Sequence, residues 1–430
     1  MLRQGQDGNH PDIGLTLRSL GELSQQEGDL KKAKEYFNEA LTVTRSGISD
    51  KDDHKVAEML HSLGELSQQT GDLKGGIRFL QESLNVQRSL HGDCDHRGIA
   101  ATLQKLGDLT AQNGDPKQGI VLLQESLRMQ RSLYGDRAHP STAATLQKLG
   151  DLTAQGGDTK QGIQFLQESL RMQRSLHGDR AHPGIAATLQ KLGDLNSRSG
   201  DLKQAIKFLQ ESLQVQRSEH GERDHPGIAT TLHKLGDLTA QSGDLKQGMQ
   251  FFQESLRMQR SLHGDCDHLG IAITLHKLGD VAILRGDSKQ GIEFLQESLK
   301  MQRSLHGDRN HAGVAITLRK LGDVMAQTGD VAQALEKLQE SAEVNRSLYG
   351  EKDHPNVADV LHSLGKANQR AGDFEQAEKF LEQSLRMKES LFADKKHPSL
   401  RLTSNLVDQV RALAQMLGIA QWHCLRLAPT

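Results

Sequence analysis

The sequence predicts an all-α solenoid assembled from repeated helix pairs. A Leu-Gly pair recurs nine times at a spacing of 43 residues, with its glycine at Gly21, Gly64, Gly107, Gly150, Gly193, Gly236, Gly279, Gly322 and Gly365. A Gly-Asp pair recurs in the same phase, from Gly28 to Gly372. The alternating Val, Ile and Thr runs that indicate strands are missing from the sequence. A fixed period of this length is typical of repeat proteins, in which each unit buries its apolar face against its neighbours.

Each unit is predicted to form two helices, as the fifth unit shows. Apolar residues spaced by three or four mark a first helix, which Pro183 opens and which His182 or the residue before it caps. Gly200 then suits the left-handed end of that helix, and Asp201 suits the N-cap of the next one. A second apolar stripe follows and continues to Leu213.

Nine such units span residues 10–396, with a short lead-in before them and one more helix after them. The unit boundaries are 10–52, 53–95, 96–138, 139–181, 182–224, 225–267, 268–310, 311–353 and 354–396. We expect residues 1–9 to form a disordered lead-in. Apolar residues at helical spacing between Leu400 and Leu417 predict a helix over 397–418, which would cap the exposed face of the ninth unit. Residues 419–430 show no clear period and are assigned to a tail.

One position in each second helix is always small. It is occupied by Ala33, Gly76, Gly119, Gly162, Ala205, Gly248, Gly291, Ala334 and Ala377. A glycine inside a helix costs about 1 kcal/mol relative to alanine, so the five glycines need an explanation. We interpret this position as a point of close approach between the helices. Sequence drift between duplicated units is the alternative explanation.

Composition and charge narrow the classes of function. The chain has 53 Lys and Arg against 55 Asp and Glu, a formal net charge of −2, which gives no support for a nucleic acid or an anionic membrane as partner. The sequence contains no run of 18 apolar residues, which is about the length needed to span a bilayer. Its first residues lack the apolar centre of a secretory signal. Three cysteines make a poor disulfide framework. We therefore expect a cytoplasmic protein.

The repeat unit resembles a known family. Leu17, Leu20-Gly21, Ala33, Phe37 and Ala40 match the tetratricopeptide repeat (TPR) spacing of a bulky residue, Leu-Gly, Ala, Phe and Ala. The longer unit, with Asp-His-Pro at 224–226 and 353–355, is similar to the variant found in kinesin light chains and nephrocystin-like proteins. The resemblance implies a right-handed superhelix. It also implies that the first helix of each pair lines a concave groove where partner segments bind.

Mapped on this sequence, the resemblance gives a set of candidate partner-binding residues. They are Gln104, Lys105, Asp108, Gln147, Lys148, Asp151, Gln190, Lys191, Asp194, His233, Lys234, Asp237, His276, Lys277 and Asp280. Kinesin light chains tend to carry an asparagine that contacts peptide where these lysines stand. A row of alternating Lys and Asp could hydrogen-bond an extended polar segment. Alternatively, Lys and Asp three residues apart could pair within one helix and form a neutral, solvated face.

Catalytic motifs are missing from the sequence. It has no phosphate-binding loop, no nucleophile elbow, no H-E-x-x-H and no C-x-x-C, so we predict a non-enzymatic protein without a cofactor. Histidines five residues apart, such as His177 and His182, invite a metal hypothesis. However, this separation is not a recognised zinc spacing, and one histidine of each pair is already explained as a helix cap. We therefore assign no metal site.

The predicted function is a protein-interaction scaffold that binds a protein or peptide segment. One alternative is a kinesin light chain-like cargo or ciliary transport adaptor, which would associate with a kinesin motor or a microtubule-transport cargo. Another alternative is a regulatory or sensor subunit of a signalling complex whose catalytic domain lies on another chain.

Overall fold

The structure is a computed structural model of the chain. It describes residues 11–46, 53–92, 94–135, 137–178, 180–221, 223–264, 266–307, 311–350, 352–392, 394 and 397–427, with side chains from 13 to 416. The predicted lead-in at residues 1–9 lies outside the described residues. The chain divides into two compact units, residues 1–221 and 222–430.

Within the described ranges all regular structure is helical, as predicted. The first unit contains α1 (Pro11–Gln26), α2 (Leu30–Ser46), α3 (Asp53–Gln69), α4 (Leu73–His91), α5 (Arg97–Gln112), α6 (Pro116–Tyr134), α7 (Pro140–Gln155), α8 (Thr159–His177), α9 (Pro183–Arg198) and α10 (Leu202–His220). The second unit contains α11 (Pro226–Gln241), α12 (Leu245–His263), α13 (Leu269–Leu284), α14 (Ser288–His306), α15 (Ala312–Thr328), α16 (Val331–Tyr349), α17 (Pro355–Ala371), α18 (Phe374–Leu391) and α19 (Pro398–Leu427).

Side-chain caps set the helix ends that the sequence predicted. His182 caps α9, because its Nδ1 accepts the backbone N–H of Gly184 at 3.0 Å. Asp201 caps α10 by accepting the N–H of Gln204 at 3.0 Å. Gly200, between the two helices, has φ +87°, a left-handed conformation that most other residues adopt only at a cost. The same arrangement recurs in the pairs from α5–α6 to α17–α18, so the turn chemistry fixes the length of these helix pairs.

The core of each unit lies between helix pairs. The two helices of a pair pack along their length, and the second helix of one pair then packs on the first helix of the next, as α6 does on α7 and α14 on α15. Leu123, Leu127, Leu146 and Leu149 are almost completely buried at the α6–α7 contact. Because such a core is thin and made mostly of aliphatic side chains, it needs few aromatic residues.

The small residues in the second helices mark close contacts, as interpreted from the sequence. A Cβ atom added at Gly162 would lie 2.8 Å from the Cβ of Ala154 and 2.8 Å from the carbonyl oxygen of Gly150. Beside such contacts, a buried serine ties the two helices of the pair together. Ser126 of α6 donates its hydroxyl to the carbonyl oxygen of Ala100 in α5 at 2.7 Å, and equivalent serines do the same in other pairs.

The helix after the ninth unit packs on α18, where Val407 and Val410 are buried against Ala377 and Leu381. This helix, α19, continues beyond the expected end at 418, so the segment assigned to a tail is helical as far as Leu427. None of the helices in the described part of the chain is long and apolar enough to cross a membrane.

Candidate partner-binding face

The candidate residues lie on the first helices of successive pairs. In the first unit α5, α7 and α9 carry them, and in the second unit α11 and α13 carry them. The 43-residue period gives each helix the same register, so equivalent side chains occupy equivalent places. On α7, Leu146 and Leu149 point into the core while Gln147 and Lys148 are partly exposed. We call the candidate residues on the first helices of each unit the first-helix face of that unit.

In the first unit the lysines of this face pair with carboxylates of the preceding repeat. Lys148 on α7 donates to Asp108 on α5 at 2.6 Å. Lys191 on α9 makes the same contact with Asp151 on α7. The lysine on α5, Lys105, lies 2.8 Å from a glutamate of α3. Pairing within one helix, the alternative considered from the sequence, is not what these contacts show, because each of the three lysines reaches back to its neighbour.

The second unit repeats the arrangement. Lys277 on α13 contacts Asp237 on α11 at 2.6 Å, and Lys320 on α15 contacts Asp280 on α13 at 3.0 Å. Asp194 occupies the position on α9 that Asp151 occupies on α7, and Lys234 occupies the position on α11 that Lys277 occupies on α13. The ion pairs therefore act as links between adjacent repeats inside each unit. Such partly exposed pairs stabilise a fold only modestly, by about 0–1 kcal/mol each.

The lysines remain accessible despite their ion pairs. The Lys148 side chain is 43% exposed and that of Lys277 is 37% exposed, whereas Asp108 is only 18% exposed. An ammonium group has three N–H donors, and one carboxylate contact leaves the others available to solvent or to a partner. The lysines are thus the outer members of the row, and the aspartates lie beneath them.

Each candidate set also contains a glutamine or a histidine directly before the lysine, and this side chain is half-buried. Gln104 is 3.5 Å from Gln130 of α6, with its amide oxygen as the acceptor. The Nδ1 atom of His233 lies 3.0 Å from the hydroxyl of Thr274 in the next first helix, and His276 makes the same contact with Thr317. Gln147 and Gln190 occupy the same position of α7 and α9. His233 and His276 therefore connect adjacent repeats, whereas Gln104 connects the two helices of its own repeat.

Burial changes the protonation of the histidines in this position. Desolvation lowers the pKa of His233 and of His276, and in both cases a neighbouring aspartate acts in the opposite direction. Neutral imidazole suits a contact in which Nδ1 meets a threonine hydroxyl. These threonines are not among the residues that the sequence motifs indicated, although threonine recurs at 43-residue spacing at 231, 274 and 317, which is the signal for them in the sequence.

The histidines five residues apart stack as parallel rings. The ring centroids of His177 and His182 are 3.7 Å apart and the rings are inclined by 13°. Because the Nδ1 of His182 also accepts a backbone N–H, the ring serves as a helix cap. In the part of the chain that the structure describes, no group of three or more His, Cys, Asp or Glu side chains could hold a metal ion.

Most of the helical array matches one family in sequence. The tetratricopeptide repeat profile matches residues 55–132, 99–175, 141–218, 184–261, 227–304, 270–347 and 313–390, and a second tetratricopeptide profile matches residues 19–46. The chain belongs to the tetratricopeptide repeat family. No curated protein is similar enough in sequence to match this TPR protein.

Solved structures share the TPR fold at low sequence identity. A signal transduction ATPase with numerous domains and a tetratricopeptide repeat sensor, from Pyrococcus horikoshii, aligns with a TM-score of 0.59 at 13% identity, covering 96% of this chain and 56% of that one. The apo form of the quorum sensor NprR from B. thuringiensis aligns with a TM-score of 0.53 at 13% identity, covering 87% and 98%. Nearly identical TPR-like repeats from a candidate kinesin light chain of Podosopora anserina align with a TM-score of 0.44 at 16% identity, covering 50% and 99%.

The resemblance to TPR proteins seen in the sequence is therefore confirmed, and so is the fold class. TPR solenoids generally act as protein-interaction scaffolds, because each repeat adds one more pair of helices to an extended surface. The family is typically non-catalytic. Neither fact identifies a partner, since one fold serves many functions.

Proposed function

We propose that this TPR protein is a non-enzymatic scaffold whose first-helix face binds an extended polar segment of a partner protein. The observation that carries the proposal is the row of lysine–carboxylate pairs between repeats. In this row the lysines, such as Lys148 and Lys191, stay more than one third exposed above less exposed aspartates. In this proposal the candidate residues named from the sequence form the binding face of the unit that carries them.

The chemistry of the row suits an extended backbone. Such a segment presents carbonyl oxygens and N–H groups in alternation. The ammonium of Lys148 retains donors for the carbonyl groups, and the second oxygen of Asp108 accepts from N–H groups. Since the row is close to neutral, the partner segment need not be strongly charged. A strongly acidic or basic segment would meet like charge at every second position.

Exchanging the two residues of an ion pair distinguishes an effect on partner binding from an effect on stability. The double substitution Lys148→Asp with Asp108→Lys keeps an ion pair between α5 and α7 but exchanges its inner and outer members. A matched control exchanges Arg131 and Glu168, a pair that joins two second helices with 2.7 Å between the guanidinium and the carboxylate. Both variants are expected to unfold at nearly the same temperature as the wild type.

The binding measurement compares the three proteins as immobilised baits. Proteins captured by the intact chain would be identified by mass spectrometry. The affinity of each captured protein for the purified wild type and for the two variants would then be measured by titration. We expect the first-helix exchange to weaken binding at least tenfold and the control exchange to leave binding unchanged. Equal binding by all three proteins would place the interaction elsewhere and reject this face. If the captured protein is a kinesin motor or its cargo, the scaffold is a transport adaptor.

A second candidate is a regulatory or sensor subunit. Its support is that two of the aligned structures, both with TM-scores above 0.5, are described as containing a tetratricopeptide repeat sensor and as a quorum sensor. In this case the captured partner would carry a catalytic domain. Adding the intact chain to that purified partner should change its turnover, and unchanged turnover at saturating binding would exclude the regulatory function.

A further inference from the structure

The second unit contains a cavity that the first-helix face does not include. It has a volume of about 330 Å³ and lies between α14, α15 and α16. Leu299, Leu321 and Met325 form its apolar wall, and Lys300, Arg303 and Lys337 surround it with positive charge. Lys300 and Arg303 are exposed, so the cavity opens to solvent on the α14 side. A cavity of this size and lining falls within the range of small-molecule sites.

The cavity lies where one repeat has a lysine in place of the large aromatic or aliphatic side chain that the other repeats carry. Lys337 occupies a position of α16 that is filled in the other repeats by Tyr36, Phe79, Leu122, Phe165, Phe208, Phe251, Phe294 and Phe380. In the first unit Phe165 packs against a cluster that includes Leu127 and Leu149. These two leucines are the equivalents, 172 residues earlier, of Leu299 and Leu321 in the cavity wall.

The same relationship holds one repeat earlier in the second unit. There Phe294 of α14 packs against a cluster that contains Leu256 and Leu278, which stand 43 residues before Leu299 and Leu321. The cavity is thus the place of an aromatic ring, with its leucine walls in position but a lysine where the ring is attached. A void lined by apolar side chains forfeits dispersion contacts that a ring would restore.

The charges at the rim give this place a second property. Arg303 pairs with Glu340, and Lys337 lies 2.8 Å from Glu336. Lys300 differs, since among the described residues no carboxylate pairs with it. Arg257, its equivalent one repeat earlier, pairs with Asp224 at 3.4 Å. An unpaired ammonium beside an apolar cavity favours a ligand with an anionic group next to an apolar ring.

We propose that this cavity is a binding site for a small aromatic carboxylate. The ring lies between Leu299 and Leu321, where the sulfur of Met325 contacts it favourably. The carboxylate reaches the ammonium of Lys300, and the ammonium of Lys337 lies over one face of the ring, to which a cation is attracted. The site goes beyond the proposed function, because it lies among α14, α15 and α16 and does not use the lysines of the first-helix face.

The test uses 3-phenylpropionate as the probe and the full chain as the receptor. Isothermal titration calorimetry should show one site per chain with a Kd on the order of 1 mM, as expected for so small a ligand. Two further probes dissect the chemistry. 3-Phenylpropanol keeps the ring without the carboxylate, and hexanoate keeps a carboxylate without the ring. Both should bind at least threefold more weakly than 3-phenylpropionate.

Lys337→Phe is the decisive variant. It restores the residue that most repeats carry, so it is expected to fold, to raise the unfolding temperature and to abolish detectable binding. Lys300→Gln should weaken 3-phenylpropionate at least threefold without changing the affinity for 3-phenylpropanol. The control Lys117→Gln changes an exposed lysine of the first unit and should leave binding unchanged.

Three outcomes would overturn the proposal. The first is no heat or chemical-shift change when the wild type is titrated to about ten times the expected Kd. The second is undiminished binding by Lys337→Phe, which would mean that the ring does not occupy the cavity. The third is equal affinity for hexanoate, which would mean that the site does not recognise an aromatic group.

Discussion

Gly107 of α5 and Gly119 of α6 pack backbone against backbone. A Cβ atom added at Gly107 would lie 2.9 Å from the carbonyl oxygen of Gly119, and one added at Gly119 would lie 2.8 Å from the carbonyl oxygen of Gly107. Each of the two positions therefore favours glycine, because the carbonyl oxygen of the other residue occupies the space that a Cβ atom would need. This reciprocity sets how closely the two helices of the pair approach each other at this point.

The first prediction is that Gly119→Ala destabilises the third repeat. Alanine gains about 1 kcal/mol of helix propensity, but overpacking at so close a contact costs about 1–3 kcal/mol. We expect a net loss of about 1 kcal/mol, measured as faster amide hydrogen exchange in α5 and α6. Gly156→Ala is the matched control, since its added Cβ would meet atoms only at 3.4 Å; this variant should exchange no faster than the wild type. Equal or slower exchange in Gly119→Ala would contradict the close-packing explanation.

The local features of the fold were predictable from sequence because they depend on neighbours along the chain. His182, Gly200 and Asp201 act where the sequence placed them, as two caps and a left-handed turn. The repeat period then predicts which helix follows which.

Features that depend on packing between helices were less predictable. Lys148 has a potential partner three residues later on its own helix, and the sequence cannot tell that Asp108, 40 residues earlier, is closer. The end of the last helix was also misplaced, because α19 continues through a segment with no clear period. The cavity could have been anticipated, because Lys337 is the one charged residue in a row of large apolar and aromatic positions, but only the packing of Phe165 shows what such a ring contacts.

The second prediction concerns the ion pair between Lys148 and Asp108. In a double-mutant cycle with alanine at either or both positions, the coupling energy should be about 0.5–1 kcal/mol, since Asp108 is mostly buried but Lys148 is not. The coupling should fall in 1 M NaCl, where exposed charges are screened. Chemical denaturation monitored by circular dichroism gives the four midpoints. A coupling near zero at low salt would mean that the pair is an incidental surface contact.

The third prediction separates the two roles of a stacked helix cap. His139 accepts the N–H of Ser141 through Nδ1 at 3.2 Å, and its ring lies parallel to that of Tyr134 with centroids 3.7 Å apart. His139→Asn keeps a good cap but removes the stack, which should cost about 0.5–1.5 kcal/mol. His139→Ala removes both and should cost about 1 kcal/mol more. Hydrogen exchange in the first turn of α7 reports the difference, and identical exchange in the two variants would show that the cap contributes nothing.

The fourth prediction follows from the burial of His362 in α17. Its Nδ1 lies 3.1 Å from the hydroxyl of Thr403 in α19, and Lys388 of α18 donates to the same hydroxyl at 3.2 Å. Desolvation, strengthened by the positive charges of Lys388, Lys366 and Arg319 and opposed by Asp359, lowers the pKa of His362 to about 4. The folded chain therefore holds this imidazole neutral down to a pH at which the unfolded chain has already protonated it.

The sign of the pH dependence of stability follows from that difference in bound protons. Between pH 6.5 and about 4 the unfolded state binds more protons at this site than the folded state, so the free energy of unfolding falls as the pH falls. The loss contributed by His362 is at most about 3 kcal/mol. His362→Gln removes the titrating group, and glutamine is already present at the equivalent positions 104, 147 and 190. We expect the free energy of unfolding of α17–α19, measured by hydrogen exchange, to fall less between pH 7 and pH 4.5 in this variant than in the wild type. The same drop in both proteins would show that protonation of His362 does not limit the stability of this end of the chain in acid.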